Sequence, residues 1–363
     1  MLFRTPSLSN TTRKRLSELD TLRTTLKGQS NLPSPWLGSL RRVLSAASVA
    51  SSASIEGFVV EDEEALAIVS GRVRANPESD DQLAIECYSR AMQHVGVMAL
   101  DPAFRWIPRV ILDLHFDACS FQRDKSPGQW RRTPIGVTGA DGRVIYDAPA
   151  PEFVPALMDE VADWLESEGS NNHAVVRAAM AHLHIVSVHP FRDGNGRVAR
   201  IVQSLVLARE GLLSPEFASI EEYLGTHTSA YYAVLERVQA GRYQPDRDAS
   251  DWVEFCVDAH LIQARRRLDQ ISEAAARWAL LETVVKEHGW PDRFVVALEQ
   301  GLIGGTDRAM YAQEAEISLP TASNDFRRLV DAGLLERHGR GRATRYVASG
   351  DLRTRISAVS LNV

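Results

Sequence analysis

The chain has 363 residues, of which 44% are hydrophobic and 24% are charged, and its formal net charge is −6 at pH 7. These values are ordinary for a globular protein of two or three domains. A net negative charge argues against a protein that coats nucleic acid through bulk charge, but it does not exclude a local basic patch. Three widely spaced cysteines form no metal-ligand pattern, and no apolar run reaches the roughly 18 residues of a membrane span. We therefore expect a soluble, cytoplasmic protein without a membrane partner.

Residues 1–75 predict an N-terminal helical region. Leucines at helical spacing indicate one helix at residues 9–28, and a small, apolar stretch at 37–55 indicates a second that packs tightly against a neighbour. Gly57 follows that stretch, and glycine is preferred just beyond a helix C-terminus. The acids of EDEEALAIV suit the first turn of another helix. From residue 80 to residue 120 the pattern is helical almost throughout.

A change of pattern between residues 128 and 146 predicts a β-hairpin, because two short β-type runs, TPIGV and RVIY, flank Thr-Gly-Ala-Asp-Gly. Helical patterns then return in VPALMDEVADWLES and HAVVRAAMAHLHIVSV. They continue in YYAVLERVQAG and in a long stretch that begins at DWVEF. The expected fold class is therefore mainly α with one small hairpin.

The last part, residues 269–363, predicts a separate domain. Its order is helix, turn, helix and two short strands around a Gly/Arg-rich turn, which is typical of a winged helix-turn-helix. The second helix is predicted at 319–332 and the wing at 337–345. Wing arginines could contact DNA phosphates, and such domains equally serve as protein-docking or dimer modules. The wing arginines are Arg337, Arg340, Arg342 and Arg345.

The stretch HPFRDGNGRVAR, residues 189–200, combines a base with an anion cradle. His189 can accept a proton near neutral pH. Gly194, Asn195 and Gly196 can turn their backbone N–H groups inward, where the next helix, predicted at 198–213, presents its positive end. Two glycines so close together cost conformational entropy unless the backbone needs a positive φ or a close approach to a ligand.

The same stretch carries groups that suit phosphates and a metal ion. Asp193 can hold a hard cation such as Mg²⁺, and Arg197 and Arg200 can grip phosphate oxygens with their forked donors. Phe191 is expected to anchor the loop in the core. The stretch therefore predicts a site for nucleotide phosphates.

Two other kinds of site are disfavoured. His182 and His184 are two residues apart on a helix, so they point to different sides and are expected to be helix or core histidines rather than zinc ligands. Trp130, Trp164 and Trp252 are expected to pack in the core. No GxxxxGK[ST] motif is present, so a Walker-type ATPase is unsupported.

HPFRDGNGRVAR matches the signature of the Fic family, HPFx(D/E)GNGRxxR, at every specified position. GQWRRTPIGV resembles the flap hairpin of that family, and the YYAVL run resembles its adenine-side helix. SSASIEGF resembles its inhibitory signature, (S/T)xxxE(G/N), filled here by Ser52, Glu56 and Gly57. The resemblance covers roughly residues 32–261. It implies a Fic-type helical bundle with a β-hairpin flap as the catalytic core, at residues 76–268, before the winged helix-turn-helix.

The resemblance implies transfer of AMP from ATP to a hydroxyl of a protein target, with Mg²⁺. His189 would accept the proton of the hydroxyl, Arg197 would bind the phosphate chain, Arg200 the γ-phosphate, and Tyr231 the adenine. The family often has an asparagine where Gln239 stands, which leaves the adenine contact there in doubt. The residues assigned to ATP are Arg192, Asp193, Gly194, Asn195, Gly196, Arg197, Arg200 and Tyr231, with Val137, Thr138, Gly139 and Ala140 in the flap.

The inhibitory signature predicts that the helix at about 37–57 holds the enzyme off. Glu56 would pair bidentately with Arg200 and so deprive the γ-phosphate of its partner. Ser52, one helical turn earlier, would steady that glutamate. Glu56 could instead position a water for removal of AMP. A homodimer that secures the inhibitory helix is plausible.

A different class of function competes with the autoinhibited transferase. The chain could be a DNA-binding regulator whose Fic segment is a sensor with little activity. An intact His189 favours the transferase, because a sensor would not need a base there. Another donor chemistry, such as phosphate transfer, stays open within the family.

Overall fold

The computed structural model of the protein describes residues 1–31, 34, 36–138, 144–167, 172–341 and 344–360, with the backbone alone at 357–360. The chain forms two compact units. The first comprises Met1–Gly28 and Leu44–Arg266, and the second comprises Gln29–Val43 and Arg267–Val363. No helix in the described part of the chain is long and apolar enough to cross a membrane.

Helices account for most of the described chain. Up to residue 287 they are α1 (Asn10–Ser30), α2 (Leu37–Ile55), α3 (Asp62–Val69), α4 (Asp80–Leu100), α5 (Pro108–Cys119), α6 (Val154–Glu166), α7 (Ala174–Val188), α8 (Asn195–Arg209), α9 (Pro215–Ala218), α10 (Glu221–Thr226), α11 (Thr228–Gln239) and α12 (Ser250–Glu287). The predicted mainly helical class is confirmed, and α2 has the predicted bounds. It ends where expected, because Gly57 takes a positive φ of 88° just after it.

The pair α7 and α8 forms the centre of the first unit, and α4 and α5 pack against α8. Both central helices are buried on nearly all sides, and most of their buried side chains are apolar. Met180, Leu183, Ile201 and Leu205 are completely buried. Burial of each such side chain contributes about 1.5–3 kcal/mol. The loop between the two helices, which carries the motif, therefore stands on a rigid platform.

The start and the end predicted for α8 were wrong. The helix begins at Asn195, three residues before the predicted position, and ends at Arg209, four residues before it. Gly194, with a φ of 78°, makes the turn into the helix, so Asn195 and Gly196 already belong to the first helical turn. The helix stops at the Glu210–Gly211 turn, where Gly211 has a φ of 70°. The backbone of the predicted cradle is thus the N-terminus of α8 itself.

The predicted hairpin is present. Strand β1 (Gly136–Thr138) pairs antiparallel with β2 (Val144–Asp147), with Val137 opposite Tyr146. An irregularity in register lies between Val137 and Thr138. The turn of the hairpin, with the predicted flap residues Gly139 and Ala140, lies outside the described residues.

The second unit contains α13 (Phe294–Leu302), α14 (Arg308–Glu314), α15 (Leu319–Asp331), β3 (Leu335–His338), β4 (Arg345–Ala348) and α16 (Gly350–Ser360). Strands β3 and β4 pair antiparallel, with His338 opposite Arg345. Phe326 of α15 stacks on Tyr346 of β4 at 3.9 Å between ring centroids. The order of helix, helix and two-stranded sheet is the predicted one, and α15 ends one residue early. The winged-helix class stays a prediction, and Arg342 of the predicted wing lies outside the described residues.

Candidate active site

The loop between α7 and α8 is closed by one side chain. Asn195 accepts a hydrogen bond from the Phe191 N–H through Oδ1 at 2.8 Å and donates to the Phe191 carbonyl through Nδ2 at 2.9 Å. Phe191 is completely buried, as predicted for the anchor of the loop. The Asn195 side chain is therefore used within the loop, and only its backbone N–H is left for an anion.

His189 ends α7 in the left-handed conformation, with a φ of 50°. Its Nδ1 lies 3.2 Å from the carbonyl oxygen of Val186, which can only accept, so Nδ1 carries the proton and Nε2 keeps a free lone pair. Burial lowers the pKa of His189 to about 4, against the opposing effects of the Val186 carbonyl, Glu56 and Asp193. The ring is consequently neutral at pH 7, which is the form that a general base needs.

This low pKa predicts a flat pH profile. We expect the initial rate of any reaction that uses His189 as a base to change less than about twofold between pH 7.5 and 5.5, because a group with a pKa near 4 stays neutral there. A histidine of ordinary pKa would lose about tenfold over the same interval. The rate should fall only as the pH drops through about 4. Initial rates across this range, with circular dichroism as a control for folding, make the measurement, and an inflection near pH 6.5 would contradict it.

A cavity of about 320 Å³ lies beside the loop, between β1, β2 and α11. Its volume is at the lower end of the range for small-molecule sites. Most of the predicted site residues that the structure describes line it: Glu56, Val137, Thr138, His189, Arg192, Asp193, Gly194, Asn195, Gly196 and Tyr231. Ser52, Arg197 and Arg200 are outside this lining.

The N-terminus of α8 opens toward this cavity. The first backbone N–H groups of a helix have no acceptor within the helix, and the helix dipole adds positive potential there. The N–H of Gly194 is already used, because it donates to Asp193 Oδ1 at 2.7 Å. The cradle therefore rests on the N–H groups of Asn195 and Gly196.

Asp193 is the residue predicted to hold Mg²⁺. Its Oδ2 accepts a hydrogen bond from Gln122 Nε2 at 2.8 Å, and its side chain remains 36% exposed. Among the described residues, no group of three or more His, Cys, Asp or Glu side chains is arranged to hold a metal. Mg²⁺ commonly uses only one or two carboxylates together with phosphate oxygens and water. Asp193 fits that manner of binding and does not fit a cage made of protein ligands alone.

Arg197 is more deeply enclosed than its role as a phosphate ligand suggests. Its side chain is 1% exposed, and its guanidinium lies over the rings of Phe58 and Phe121 at 5.3 and 5.7 Å from their centroids. One nitrogen, Nη2, donates to Gln122 Oε1 at 2.7 Å. Nε and Nη1 are buried without a hydrogen-bond partner. Arg197 thus holds a positive charge behind the loop and keeps donors that nothing in the described chain uses.

Glu56 pairs with Arg200, but not as predicted. Arg200 Nη2 donates to Glu56 Oε1 at 2.8 Å in a single contact, not a bidentate one. Ser52 does not steady the glutamate: its Oγ accepts from Arg200 Nε at 2.7 Å, and its carbonyl accepts from Nη2 at 3.0 Å. The reason is that α2 lies across Arg200 for a full turn, so the serine faces the guanidinium. Burial disfavours the charge on Arg200, but Glu56, together with Tyr231 and Tyr88, favours the charged form and raises the pKa of Arg200.

The Glu56 carboxylate also lies against the first turn of α8. A methyl group at position 196 would overlap Glu56 Oε1 and come within 3.1 Å of Arg200 Nη1. A side chain at position 196 would therefore have to displace the Glu56 carboxylate from its present place. A carboxylate at this point occupies the end of a helix where an anionic ligand would be favoured.

The wall formed by α11 contributes Tyr231, Tyr232, Leu235 and Gln239. Tyr231 is 1% exposed, and its hydroxyl lies 3.0 Å from His182 Nε2. Tyr232 is 44% exposed, and its hydroxyl donates to the Ile55 carbonyl of α2 at 3.3 Å. Gln239 donates to Ser187 Oγ at 3.0 Å. This wall offers mainly ring faces to a ligand.

Comparison with known proteins bears on the segment that contains the loop. Residues 106–207 match the sequence model of the Fic/DOC family. Protein adenylyltransferase Fic of Drosophila grimshawi is 28% identical over 223 residues, which cover 58% of this chain and 41% of that relative. The chain spans about half of the length of the curated relatives that it matches.

The fold is also that of solved Fic structures. A Fic family protein from Desulfovibrio desulfuricans G20 aligns with a TM-score of 0.60 at 23% identity, over 95% of this chain and 98% of that one. A Fic domain containing signaling protein from Bacteroides thetaiotaomicron VPI-5482 aligns with a TM-score of 0.59 at 20% identity, over 70% of this chain and 98% of that one. Likeness at this level of identity establishes the fold of the Fic/DOC segment and its surroundings.

One residue of the Fic/DOC segment was missed by the sequence analysis. Arg131 is 3% exposed and donates through Nε to the His189 carbonyl at 2.8 Å. It also donates to the carbonyls of Thr133, at 3.1 Å through Nη1, and of Pro149, through Nη2. Arg131 thereby connects the backbone of His189 to the segments just before β1 and just after β2. The sequence shows two adjacent arginines, Arg131 and Arg132, and contains no signal that tells which one is buried.

The two histidines of α7 lie where the sequence analysis placed them. His182 is completely buried, with Nδ1 2.7 Å from Gln203 Oε1, and His184 is 1% exposed against the edge of Trp164. The prediction that they are core histidines is confirmed. The predicted core positions of Trp164 and Trp252 are confirmed as well, whereas Trp130 is only partly buried.

Proposed function

We propose that the protein transfers AMP from ATP to the hydroxyl of a Ser, Thr or Tyr side chain of a protein, its own chain included. The observation that carries this proposal is the placing of a neutral histidine and a helix N-terminus in one cavity, beside a hairpin strand. His189, Asn195 and Gly196 line that cavity together. The similarity to relatives named protein adenylyltransferase supports the proposal.

The chemistry needs one proton acceptor and stabilisation of negative charge. The target hydroxyl attacks the α-phosphorus of ATP, and His189 Nε2 accepts its proton. The bond from the α-phosphorus to the bridging oxygen breaks, and pyrophosphate leaves with the electron pair. The N–H groups of Asn195 and Gly196 and the dipole of α8 offset the negative charge on the phosphates. Mg²⁺, when bound with ATP at Asp193, would neutralise part of that charge.

The hairpin is the proposed docking element for the target. Gly136, Val137 and Thr138 of β1 line the cavity, and an extended target segment could pair with this strand by main-chain hydrogen bonds. Main-chain pairing does not depend on the side chains of the target. It would therefore position the hydroxyl without selecting which residues flank it. Tyr231 and Tyr232 would receive the adenine between their rings and the hairpin.

We further propose that α2 is an inhibitory helix and that Glu56 blocks the productive position of the γ-phosphate. Glu56 lines the cavity, whereas Arg200, its ion-pair partner, is 1% exposed and does not reach the cavity lining. The carboxylate occupies the guanidinium donor that a γ-phosphate would need. The alternative role of Glu56, to position a water for removal of AMP, uses the same cavity and is decided by the same experiment.

The test is incubation of the full chain with ATP and Mg²⁺, as wild type and as Glu56→Gly. Label from α-labelled ATP should appear on protein, weakly in the wild type and strongly in the variant, and label from γ-labelled ATP should not. Protein labelled from γ-labelled ATP would identify a phosphotransferase and overturn the proposal. After removal of ATP, loss of the label in the wild type but not in Glu56→Gly would identify AMP removal by Glu56.

The second unit is proposed to contact DNA. Its groove of about 410 Å³ between α15 and the β3–β4 sheet is lined by Arg308, Arg327 and Arg337, with Asp331 as the acidic member of the lining. Such a basic groove suits a phosphate backbone. A winged helix-turn-helix at 269–363 and a catalytic core at 76–268 remain our proposed domains, and a homodimer that secures the inhibitory helix remains a prediction. A DNA-binding regulator with a weak Fic sensor is the competing function.

Loss of groove arginines should weaken DNA binding. We expect Arg327→Ala and Arg337→Ala in the full chain to lower affinity for duplex DNA, each with a salt slope smaller by about 1, because each removes one phosphate contact. Fluorescence anisotropy at several stated salt concentrations measures this. Arg355→Ala is the matched control, since Arg355 of α16 pairs with Glu287 of α12 and is not part of the groove lining. Equal binding by all three variants and the wild type would count against a DNA site in this groove.

A further inference from the structure

His115 of α5 is a buried histidine that the proposed chemistry does not use. It is 1% exposed. Its Nδ1 lies 2.8 Å from the Gly128 amide nitrogen, which can only donate, so Nδ1 accepts. Its Nε2 lies 2.9 Å from the Asp193 carbonyl oxygen, which can only accept, so Nε2 carries the proton. The two neighbours therefore fix one neutral tautomer.

The ring of His115 also supports the loop from below. It stacks on Phe191 with 3.6 Å between centroids and 6° between planes. The backbone of Phe191 is hydrogen-bonded to the side chain of Asn195. His115 therefore contacts the loop at two points, at Phe191 near its beginning and at Asp193 immediately before the cradle. Gly194 fits against the same face of α5: a Cβ there would overlap Cys119 Sγ and lie 3.2 Å from His115 Nε2.

We propose that His115 is a positioning residue that sets the orientation of the Asp193 carboxylate and of the N–H groups at the start of α8 toward the phosphates of ATP. The Asp193 carbonyl belongs to the peptide that joins Asp193 to Gly194. Its direction therefore fixes the turn into α8 and, with it, the direction of the Asn195 and Gly196 N–H groups. A neutral imidazole supplies one donor, one acceptor and a flat face for stacking in a single side chain. The inference rests on the proposed function only for its kinetic readout.

The experiment compares His115→Ala, His115→Gln and Ile111→Val in the full-length Glu56→Gly background. Ile111 is a completely buried residue one turn earlier on α5, so its variant reports on loss of packing alone. Amide hydrogen exchange of residues 189–196 without nucleotide is the first readout. We expect exchange about tenfold faster in His115→Ala than in Ile111→Val, because one hydrogen bond to the loop is lost.

The kinetic readout separates positioning from general destabilisation. In His115→Ala we expect kcat for AMP transfer to fall about 10- to 100-fold while KM for ATP changes less than about threefold, since misplaced donors mainly affect the transition state. Glutamine, whose side-chain amide offers both an N–H donor and a carbonyl acceptor, should restore much of the kcat. His115→Ala that behaves like Ile111→Val, or His115→Gln that is no better than His115→Ala, would overturn the proposal. If the parent transfers nothing, the proposed function fails, and hydrogen exchange alone still decides the role of His115.

Discussion

Replacement of His189 with alanine is expected to lower kcat for AMP transfer by a factor of about 10²–10⁴, the usual contribution of a general base. The reason lies in the fixed tautomer: Nδ1 donates to the Val186 carbonyl, and Nε2 has the lone pair that would take the proton of the hydroxyl in the proposed transfer. Alanine leaves the phosphate cradle intact, because Asn195 and Phe191 still close the loop. ATP affinity should therefore stay within about threefold, as expected for a residue that acts in the transition state.

The measurement is incorporation of label from α-labelled ATP under initial-rate conditions, with ATP affinity from calorimetry. His173→Ala is the matched control, since it removes a histidine at the other end of α7 that accepts from the Val175 N–H at 3.2 Å. Loss of such a cap costs about 1 kcal/mol of stability and should leave kcat unchanged. Retention of more than a tenth of the rate in His189→Ala would exclude His189 as the base.

Two backbone elements beside the site, α2 and the hairpin, followed from local sequence, whereas the bounds of α8 did not. The bounds of α2 agree with the prediction because a run of small apolar residues ends at a glycine that takes a positive φ. The hairpin was recognisable because β-type runs flank a glycine-rich turn. Each of these signals lies within a few residues of the feature that it predicts.

The partners of the charged side chains did not follow from sequence. Arg197 and Arg200 were predicted to grip phosphate oxygens, and the sequence did not indicate that both side chains are only 1% exposed. Helical periodicity places Ser52 and Glu56 on one face of α2, but it cannot tell which of them meets the guanidinium of Arg200. That depends on the packing of α2 against α8, which is set by residues about 150 positions apart. His115 and Arg131 escaped notice for the same reason, because their partners are loop carbonyls far along the chain.

The burial of Arg200 has an energetic consequence. A buried charge that loses its counterion typically destabilises a protein by about 3–5 kcal/mol. Ser52 still provides two acceptors, so the effect of removing Glu56 should be smaller than that. A bound γ-phosphate would restore a negative partner to the guanidinium. ATP and Glu56 are thus expected to compete for one charge, and stability and activity should change in opposite directions.

Replacement of Glu56 with glycine is expected to raise the initial rate of AMP transfer about 10- to 100-fold, the range that corresponds to one charge-assisted hydrogen bond of about 1.5–3 kcal/mol. The same variant should have a lower Tm without nucleotide and a larger rise in Tm with saturating ATP than the wild type, because ATP now supplies the partner of Arg200. Differential scanning fluorimetry with and without ATP measures the second effect independently of transfer.

Ser54→Gly separates removal of the carboxylate from loosening of the helix end. Ser54 is exposed in the last turn of α2, and its Oγ donates only to the Ser51 carbonyl, at 2.9 Å. Glycine there weakens the same turn and leaves the Glu56–Arg200 pair in place. If Ser54→Gly activates as much as Glu56→Gly, the helix inhibits by its position and not by its charge. If neither variant exceeds the wild-type rate, Glu56 does not restrain the enzyme, and its contact with Arg200 serves stability alone.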